Sequence, residues 1–168
     1  MAKTVKFGGN PMELEGTETK VGQKAYDFTC VGGDLKPVKF SDTRGKVRIL
    51  SVFPSIDTPV CSRQAARFNQ EAGKLGDKVA LYAISNDLPF AQGRYCAAEG
   101  VKNLHMVSDY KDLDFSRHYG FLMPALRLLA RGVVVVDAHD VVQYVEYVPE
   151  VTHEPNFEAA LEAVKKLL

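Results

Sequence analysis

The segment that decides the fold is VRILSVFPSIDTPVCSRQAARFNQEAGKL, residues 47–75. It opens with an almost wholly apolar run, 47–53, which predicts a strand buried on both faces. Pro54 ends that strand, and apolar residues then recur at steps of three and four, the spacing of one helix face. The segment therefore predicts a central strand, a short loop and a helix that begins near Pro59, with Cys61 in its first turn.

Strands and helices alternate along the rest of the chain. Alternation of this kind favours a mainly parallel sheet with helices on both faces, and a closing antiparallel hairpin makes the sheet mixed. Turn residues between the runs 4–7 and 12–15 predict an N-terminal β-hairpin. The fold class is therefore α/β, a thioredoxin-like three-layer sandwich formed by one domain over residues 1–168. The pattern predicts further strands at 27–31, 78–85, 104–108, 131–137 and 141–148, and helices at 89–99, 112–119 and from Pro155.

Composition restricts the classes of function. The chain has 168 residues, with 21 basic and 21 acidic side chains, so no net field gathers nucleic acid or an anionic membrane. No apolar run approaches the roughly 20 residues of a membrane span, and the N-terminus lacks the apolar core of a secretory signal. These features predict a cytoplasmic protein without membrane or nucleic-acid partners. Three cysteines imply no disulfide framework, so we expect free thiols unless chemistry oxidises them.

Cys61 is the first candidate for chemistry. Unpaired N–H groups in the first turn of a helix, together with the helix dipole, stabilise a thiolate over a thiol, and the thiolate is the nucleophile. A cysteine on an apolar helix face is also compatible with a small core residue. The residues alone leave both interpretations open.

Three separated segments carry a specific resemblance. Pro54, Thr58 and Cys61 form the pattern Pro-x3-Thr-x2-Cys, inside the string FPSIDTPVC. The strings NDLPFAQ at 86–92 and CAAEG at 96–100 follow in order. Together these segments resemble the bacterial thiol peroxidases, which are atypical 2-Cys peroxiredoxins.

The resemblance implies a role for each matching residue around the thiol. Cys61 would attack a hydroperoxide, the hydroxyl of Thr58 would hydrogen-bond the thiolate and the peroxide, and Pro54 would shield the sulfur. Arg131, at the start of the strand GVVVVD, matches the arginine that holds the sulfur anionic and grips the peroxide. Arg131 is the arginine that the resemblance selects, and Arg127, which lies nearby in sequence, is the alternative.

The resemblance also implies how the enzyme is recycled. Cys96 matches the resolving cysteine, which would close an intramolecular Cys61–Cys96 disulfide that a thioredoxin-type protein then reduces. Hydrogen peroxide and organic hydroperoxides are the implied substrates, and a homodimer is the implied assembly. Gly93 and Gly100 bracket Cys96, so we expect one or both of the helices that carry Cys61 and Cys96 to unwind locally on oxidation. Cys30 matches no role and is read as a strand residue.

Other functions fit the residues less well. A thiol–disulfide oxidoreductase on the same fold would normally carry Cys-x-x-Cys, but Thr58 and Gln64 occupy the positions three before and three after Cys61. A catalytically silent binding module would have no need of the matched residues. The histidines show no metal-ligand spacing, so neither a metal nor a cofactor is predicted. Core packing is the expected role of Phe90, Phe115, Tyr119 and Phe121.

Overall fold

The computed structural model describes residues 3–99 and 104–168. The strands are β1 (Thr4–Phe7), β2 (Asn10–Glu13), β3 (Thr29–Val31), β4 (Pro37–Lys39), β5 (Val47–Val52), β6 (Val79–Ser85), β7 (Leu104–Ser108), β8 (Leu122–Met123), β9 (Leu128–Leu129), β10 (Gly132–Val136) and β11 (Val142–Tyr147). The helices are α1 (Pro59–Leu75), α2 (Pro89–Glu99), α3 (Asp114–Tyr119) and α4 (Phe157–Lys165). Gly100, expected to end α2, lies outside the described residues.

The main sheet has seven strands in the order β11-β10-β5-β6-β7-β3-β4. Strands β5, β6 and β7 are parallel, while β10 runs antiparallel to β5 and β3 runs antiparallel to β7. The sheet is therefore mixed, with a parallel centre, as the alternation of elements predicts.

The side chains of the sheet alternate between two cores. One face packs against α1, α2 and α4, with Ile49, Leu81 and Val133 among its strand residues. The other face packs against α3 and the N-terminal hairpin, with Leu50 and Tyr82 among its strand residues. This arrangement, in which helices cover both faces of the sheet, confirms the predicted three-layer α/β class.

The N-terminal hairpin is also confirmed, with its second strand two residues earlier than expected. Gly8 and Gly9 form its turn, with φ angles of 58° and 84°. Two consecutive positive φ angles are a requirement of the tight hairpin turn whose twist matches that of the strands, and glycine adopts them without strain.

Several expected boundaries and burials are wrong. Helix α4 begins at Phe157 instead of Pro155, because the side chain of Asn156 accepts the N–H of Ala159 at 3.0 Å and caps the helix there. Phe90 was expected in the core but is 69% exposed on α2. Strands β4, β8 and β9 were not predicted, since two or three residues are too few to show a period.

Candidate active site

Cys61 lies at the junction that the sequence indicates. Strand β5 ends at Val52, residues 53–58 form a loop that we call the cysteine loop, and α1 follows. Cys61 is in the first turn of α1 and is completely buried, among apolar side chains that include Phe53 and Ile56. In α/β sheets this edge, beyond the carboxyl ends of parallel strands, is where ligand sites form.

The N-terminus of α1 leaves its first N–H groups uncapped by the preceding side chain. Thr58 occupies the N-cap position but makes no side-chain capping hydrogen bond. The N–H groups of Val60 and Cys61 belong to the first turn, where a helix supplies no acceptor of its own. They are therefore not capped by the Thr58 side chain.

Arg131, directly before β10, contacts the sulfur of Cys61. Its Nη2 lies 3.3 Å from Sγ of Cys61, and the residue is 2% exposed. The register that pairs Gly132 with Val52 brings the start of β10 beside the end of β5. On its other side Gly132 packs closely against β11, because a Cβ there would clash with the carbonyl oxygen of Glu146.

The structure thereby separates the two candidate arginines. Arg127 is exposed in the turn between β8 and β9, with a φ of 54°, and its carbonyl accepts the side-chain amide of Asn86 at 2.7 Å. Arg131, in contrast, contacts Cys61 directly.

Gln64 is a residue whose role the sequence did not reveal. Its Oε1 accepts Nη1 of Arg131 at 2.9 Å, and its Nε2 donates to Oγ of Ser51 at 2.9 Å and to the carbonyl of Val52 at 3.2 Å. A further bond runs from Nε of Arg131 to the carbonyl of Val151 at 2.7 Å. Gln64 lies one turn after Cys61 on the buried face of α1, and a polar residue on that apolar face was the available signal.

Charge is unbalanced at this site. The partners of Arg131 are a neutral amide, a neutral carbonyl and the sulfur of Cys61. Within residues 3–99 and 104–168, none of the ion pairs involves Arg131. A buried cation without an anionic partner is costly, so the site suits an anionic group placed beside Arg131.

Pro54 and Thr58 lie in the cysteine loop that precedes Cys61. Pro54 is buried in the cysteine loop. The hydroxyl of Thr58 is on an exposed residue and donates to the carbonyl of Ser55 at 2.9 Å. Its hydrogen is therefore directed at the backbone and not at Cys61, which leaves the oxygen lone pairs to accept a hydrogen bond.

Cys96 lies on α2 and packs against the same apolar cluster as Cys61. The cluster contains Met106, whose Sδ is 3.9 Å from Sγ of Cys96. Cys96 is partly buried, and burial raises the pKa of its thiol. Both cysteines are free thiols in this structure.

Cys30 lies in a different environment, buried in β3. Its thiol donates to Oδ1 of Asp109 at 3.6 Å. Burial, followed by the negative charge of Asp109, raises the pKa of Cys30 well above its ordinary value. A thiol that resists ionisation is a weak nucleophile, so this cysteine behaves as part of the core.

The described part of the chain offers neither a metal-binding cluster nor a membrane-spanning helix. No cluster of three or more potential metal ligands occurs there. None of the helices described is both long enough and apolar enough to cross a bilayer.

The fold is thioredoxin-like, and its site contains a buried cysteine in contact with a buried arginine. Together these features define a class of thioredoxin-like enzymes. Residues 20–161 match the model of the Redoxin family. The chain is 54% identical over 162 residues to a thiol peroxidase of Listeria innocua, covering 96% of this chain and 98% of that protein. It is 51% identical over 165 residues to a thiol peroxidase of Halalkalibacterium halodurans, with coverage of 98% and 99%.

A solved structure agrees with these relatives. A peroxiredoxin-like protein from Aquifex aeolicus superposes with a TM-score of 0.93 at 37% identity, over 100% of this chain and 99% of the other. The chain therefore belongs to the Redoxin family and is a peroxiredoxin-type thiol peroxidase.

Proposed function

We propose that this enzyme reduces hydrogen peroxide and organic hydroperoxides with Cys61 and then closes an intramolecular disulfide to Cys96. The observation that carries the proposal is the 3.3 Å contact between Sγ of Cys61 and Nη2 of the buried Arg131. Arginine stays charged at every physiological pH and offers forked donors, so it can pair with a thiolate and bind a peroxide oxygen.

In the first step, the thiolate attacks the terminal oxygen of the hydroperoxide. An S–O bond forms, the O–O bond breaks, and the released alkoxide or hydroxide takes a proton to leave as an alcohol or water. Cys61 becomes a sulfenic acid, the first stage of cysteine oxidation. Arg131 and the uncapped N–H groups of Val60 and Cys61 are the donors available to the developing negative charge.

Thr58 and Pro54 orient and shield this step. The Thr58 hydroxyl donates to the carbonyl of Ser55, so its oxygen can accept the O–H of the hydroperoxide and hold the terminal oxygen towards the sulfur. Pro54, buried in the cysteine loop, limits the access of water to the reacting thiol.

In the second step, the Cys96 thiol attacks the sulfenic sulfur of Cys61, and water leaves as the disulfide forms. A disulfide needs Cα atoms about 4.4–6.8 Å apart and correctly directed Cβ atoms. Cys61 in α1 is held by its contact with Arg131, while Cys96 in α2 contacts Met106 of β7. We therefore expect local unwinding of α2 before the disulfide closes.

Turnover then requires an external dithiol. A thioredoxin-type protein would reduce the disulfide and leave with a disulfide of its own, so that two electrons pass from it to the hydroperoxide. This cycle suits a cytoplasmic, reducing setting, and residues 1–168 would act in it as one domain.

A homodimer would use the exposed apolar surface beside the site. Leu88, Phe90 and Leu126 are 51%, 69% and 47% exposed. The bond between Nδ2 of Asn86 and the carbonyl of Arg127 places their two loops side by side. A second copy seated here would bury these side chains. Sedimentation of Phe90→Glu tests this surface: a monomer supports it, and an unchanged dimer contradicts it.

The decisive experiment on function is thiol counting with peptide mapping after one equivalent of hydrogen peroxide. We expect two thiols to disappear and a Cys61–Cys96 linkage to form. Cys96→Ser should keep the first oxidation and lose turnover with thioredoxin, while Cys61→Ser should lose both. Peroxide consumption that survives Cys61→Ser, or oxidation at Cys30 instead, would refute the proposal.

A further inference from the structure

We propose that Asp87 is a positioning residue for the peroxide: it fixes the cysteine loop so that Thr58 faces the incoming hydroperoxide. This inference rests on the roles proposed above for Cys61 and Thr58. Asp87 comes directly after the end of β6, on the edge of the sheet where the cysteine loop follows β5.

The carboxylate of Asp87 holds the cysteine loop by two short bonds. Its Oδ1 accepts the hydroxyl of Ser55 at 2.7 Å, and its Oδ2 accepts the N–H of Ile56 at 2.7 Å. Hydrogen bonds to a carboxylate are stronger than those between neutral groups, so two of them restrain the loop firmly.

Asp87 is itself fixed to two neighbouring strands. Ser85, at the end of β6, donates its hydroxyl to Oδ2 of Asp87 at 2.6 Å. Ser108, at the end of β7, donates its hydroxyl to the carbonyl of Asp87 at 2.5 Å. Gln92 in α2 donates to Oγ of Ser85 at 3.1 Å, which extends the network into the first half of that helix. Asp87 therefore links the cysteine loop to the ends of two strands of the sheet.

Ser55 carries this restraint to Thr58. The carbonyl of Ser55 accepts both the N–H of Thr58 at 3.2 Å and the Thr58 hydroxyl at 2.9 Å. The hydroxyl of Ser55 also accepts the N–H of Asp57 at 3.2 Å. The direction of the free lone pairs on Thr58 thus depends on the position of Ser55, which Asp87 sets.

The restraint on the sulfur is separate. Arg131 is held by Gln64 and Val151, and among the hydrogen bonds of the described residues none joins that group to Asp87 or Ser55. Loss of the Asp87 contacts should therefore disturb the orientation of the peroxide and leave the reactivity of the sulfur unchanged. A slower reaction with peroxide at an unchanged sulfur reactivity would distinguish a positioning role of Asp87 from a general destabilisation of the fold.

Asp87→Asn is the informative substitution, because it keeps the size of the side chain. Three donors, from Ser55, Ile56 and Ser85, converge on the two carboxylate oxygens. An amide offers one oxygen and places an NH₂ group against the other donors. Ser55→Ala is the second variant, since it removes one arm of the network and leaves Asp87 intact.

The matched control is Asp109→Asn. Asp109 likewise follows a strand of the main sheet, and its buried carboxylate accepts the N–H groups of Phe115 and Ser116, each at 2.9 Å. Its contacts lead to α3 and not to the cysteine loop. The control therefore reports the effect of losing a buried carboxylate anchor elsewhere.

The test measures two rates in a Cys96→Ser background, in which the second step is absent. One is the second-order rate of Cys61 oxidation by hydrogen peroxide, and the other is the pH profile of Cys61 alkylation by iodoacetamide. We expect Asp87→Asn to slow oxidation ~10- to 100-fold, with alkylation within about twofold of the parent. Ser55→Ala should show a smaller loss of the same kind, and Asp109→Asn should show none.

Other outcomes would overturn the inference. Oxidation at the parental rate in Asp87→Asn would show that the loop needs no such anchor. Alkylation slowed as much as oxidation would show a general structural role. If Asp87→Asn does not fold, an unchanged oxidation rate in Ser55→Ala is sufficient to reject the inference. A parent whose Cys61 is not oxidised by peroxide would instead refute the proposed function, and this inference with it.

Discussion

Arg131 brings a full positive charge to a position that is only 2% exposed. The amide of Gln64, which bridges this guanidinium to Ser51 and Val52, keeps that charge in one place. Because the remaining Nη2 faces Cys61, a thiolate there completes the set of partners. The position of Gln64 therefore helps to determine whether the guanidinium of Arg131 points at the sulfur of Cys61.

At this scale we predict that Gln64→Leu slows the oxidation of Cys61 by about tenfold or more, because Arg131 loses the acceptor that orients it. Leaving the buried N–H without a partner should also lower the free energy of unfolding by about 1–3 kcal/mol. Stopped-flow oxidation and denaturant unfolding measure the two effects. A loss of stability with a parental oxidation rate would show that Gln64 supports only the fold.

The pKa of Cys96 gives a prediction for the second step. Burial raises the pKa of this thiol, so it is mostly protonated near neutral pH. Attack by the thiolate should then accelerate about tenfold for each pH unit between about pH 6 and 8. Quenched-flow mass spectrometry of sulfenic acid and disulfide measures the rate of closure at each pH. A flat profile would show that ionisation of Cys96 does not limit closure.

At the scale of elements, the two halves of α2 are held differently. The first half is anchored by Gln92, which is 2% exposed and donates to the carbonyl of Val107 at 2.8 Å. The second half carries Cys96; its Arg94 forms an exposed ion pair with Asp57 of the cysteine loop at 3.1 Å, and the hydroxyl of Tyr95 donates to the carbonyl of Ser62 in α1 at 3.3 Å. Exposed ion pairs are weak, so the second half is the part that can unwind.

Gly93 lies between these halves and provides the test of unwinding. A Cβ there would meet nothing within 4 Å, so Gly93→Ala fits the folded helix. Alanine favours an interior helical position by about 1 kcal/mol, which should slow disulfide closure about fivefold if α2 must unwind. The rate of closure after a single peroxide pulse measures this.

Gly73→Ala is the control for that variant, because Gly73 is exposed in α1 on the helix that does not carry Cys96. We expect it to leave closure unchanged. Equal closure rates for Gly93→Ala and the parent would argue against unwinding of α2.

At the scale of the whole molecule, the N-terminal hairpin supports the active site from a distance. Lys6 in β1 pairs with the segment after β11: its N–H donates to the carbonyl of Pro149 at 2.7 Å, and its carbonyl accepts the N–H of Val151 at 2.8 Å. The carbonyl of Val151 accepts Nε of Arg131. The first strand of the chain therefore helps to fix the arginine beside Cys61.

Glu150 joins the hairpin turn to this segment and makes the contact sensitive to acid. Hydrogen bonds from the N–H groups of Thr152, Gly9 and Gly8 lower the pKa of Glu150 to about 2. When folding lowers the pKa of a carboxyl group, the ionised group stabilises the fold at pH values above its unfolded-state pKa of about 4.3. That stabilisation is lost as the pH falls through the folded-state pKa. We predict that Glu150→Gln unfolds at a lower temperature than the parent at pH 7.

The difference between Glu150→Gln and the parent should narrow as pH falls from about 4 towards 2, where the parent's carboxylate takes up its proton. Thermal unfolding followed by circular dichroism across this range measures it. A difference that does not depend on pH would show that the charge of Glu150 contributes nothing.

The order of the main elements and the place of the thiol could be predicted from the sequence. Apolar periodicity is a local property, so it defined β5 and the full extent of α1, and with them the position of Cys61 at a helix start. The spacing of Pro54, Thr58 and Cys61 is likewise contained in eight residues of one segment.

The distant groups that contact this thiol could not be predicted in the same way, because long-range packing brings them there. The choice of Arg131 over Arg127 follows from the register of β10 on β5, which depends on long-range strand pairing. The roles of Gln64 and Asp87 depend on hydrogen bonds to residues far along the chain, and no local period encodes such partners. Side-chain direction and strand register fix these contacts, and both are settled only when the sheet assembles.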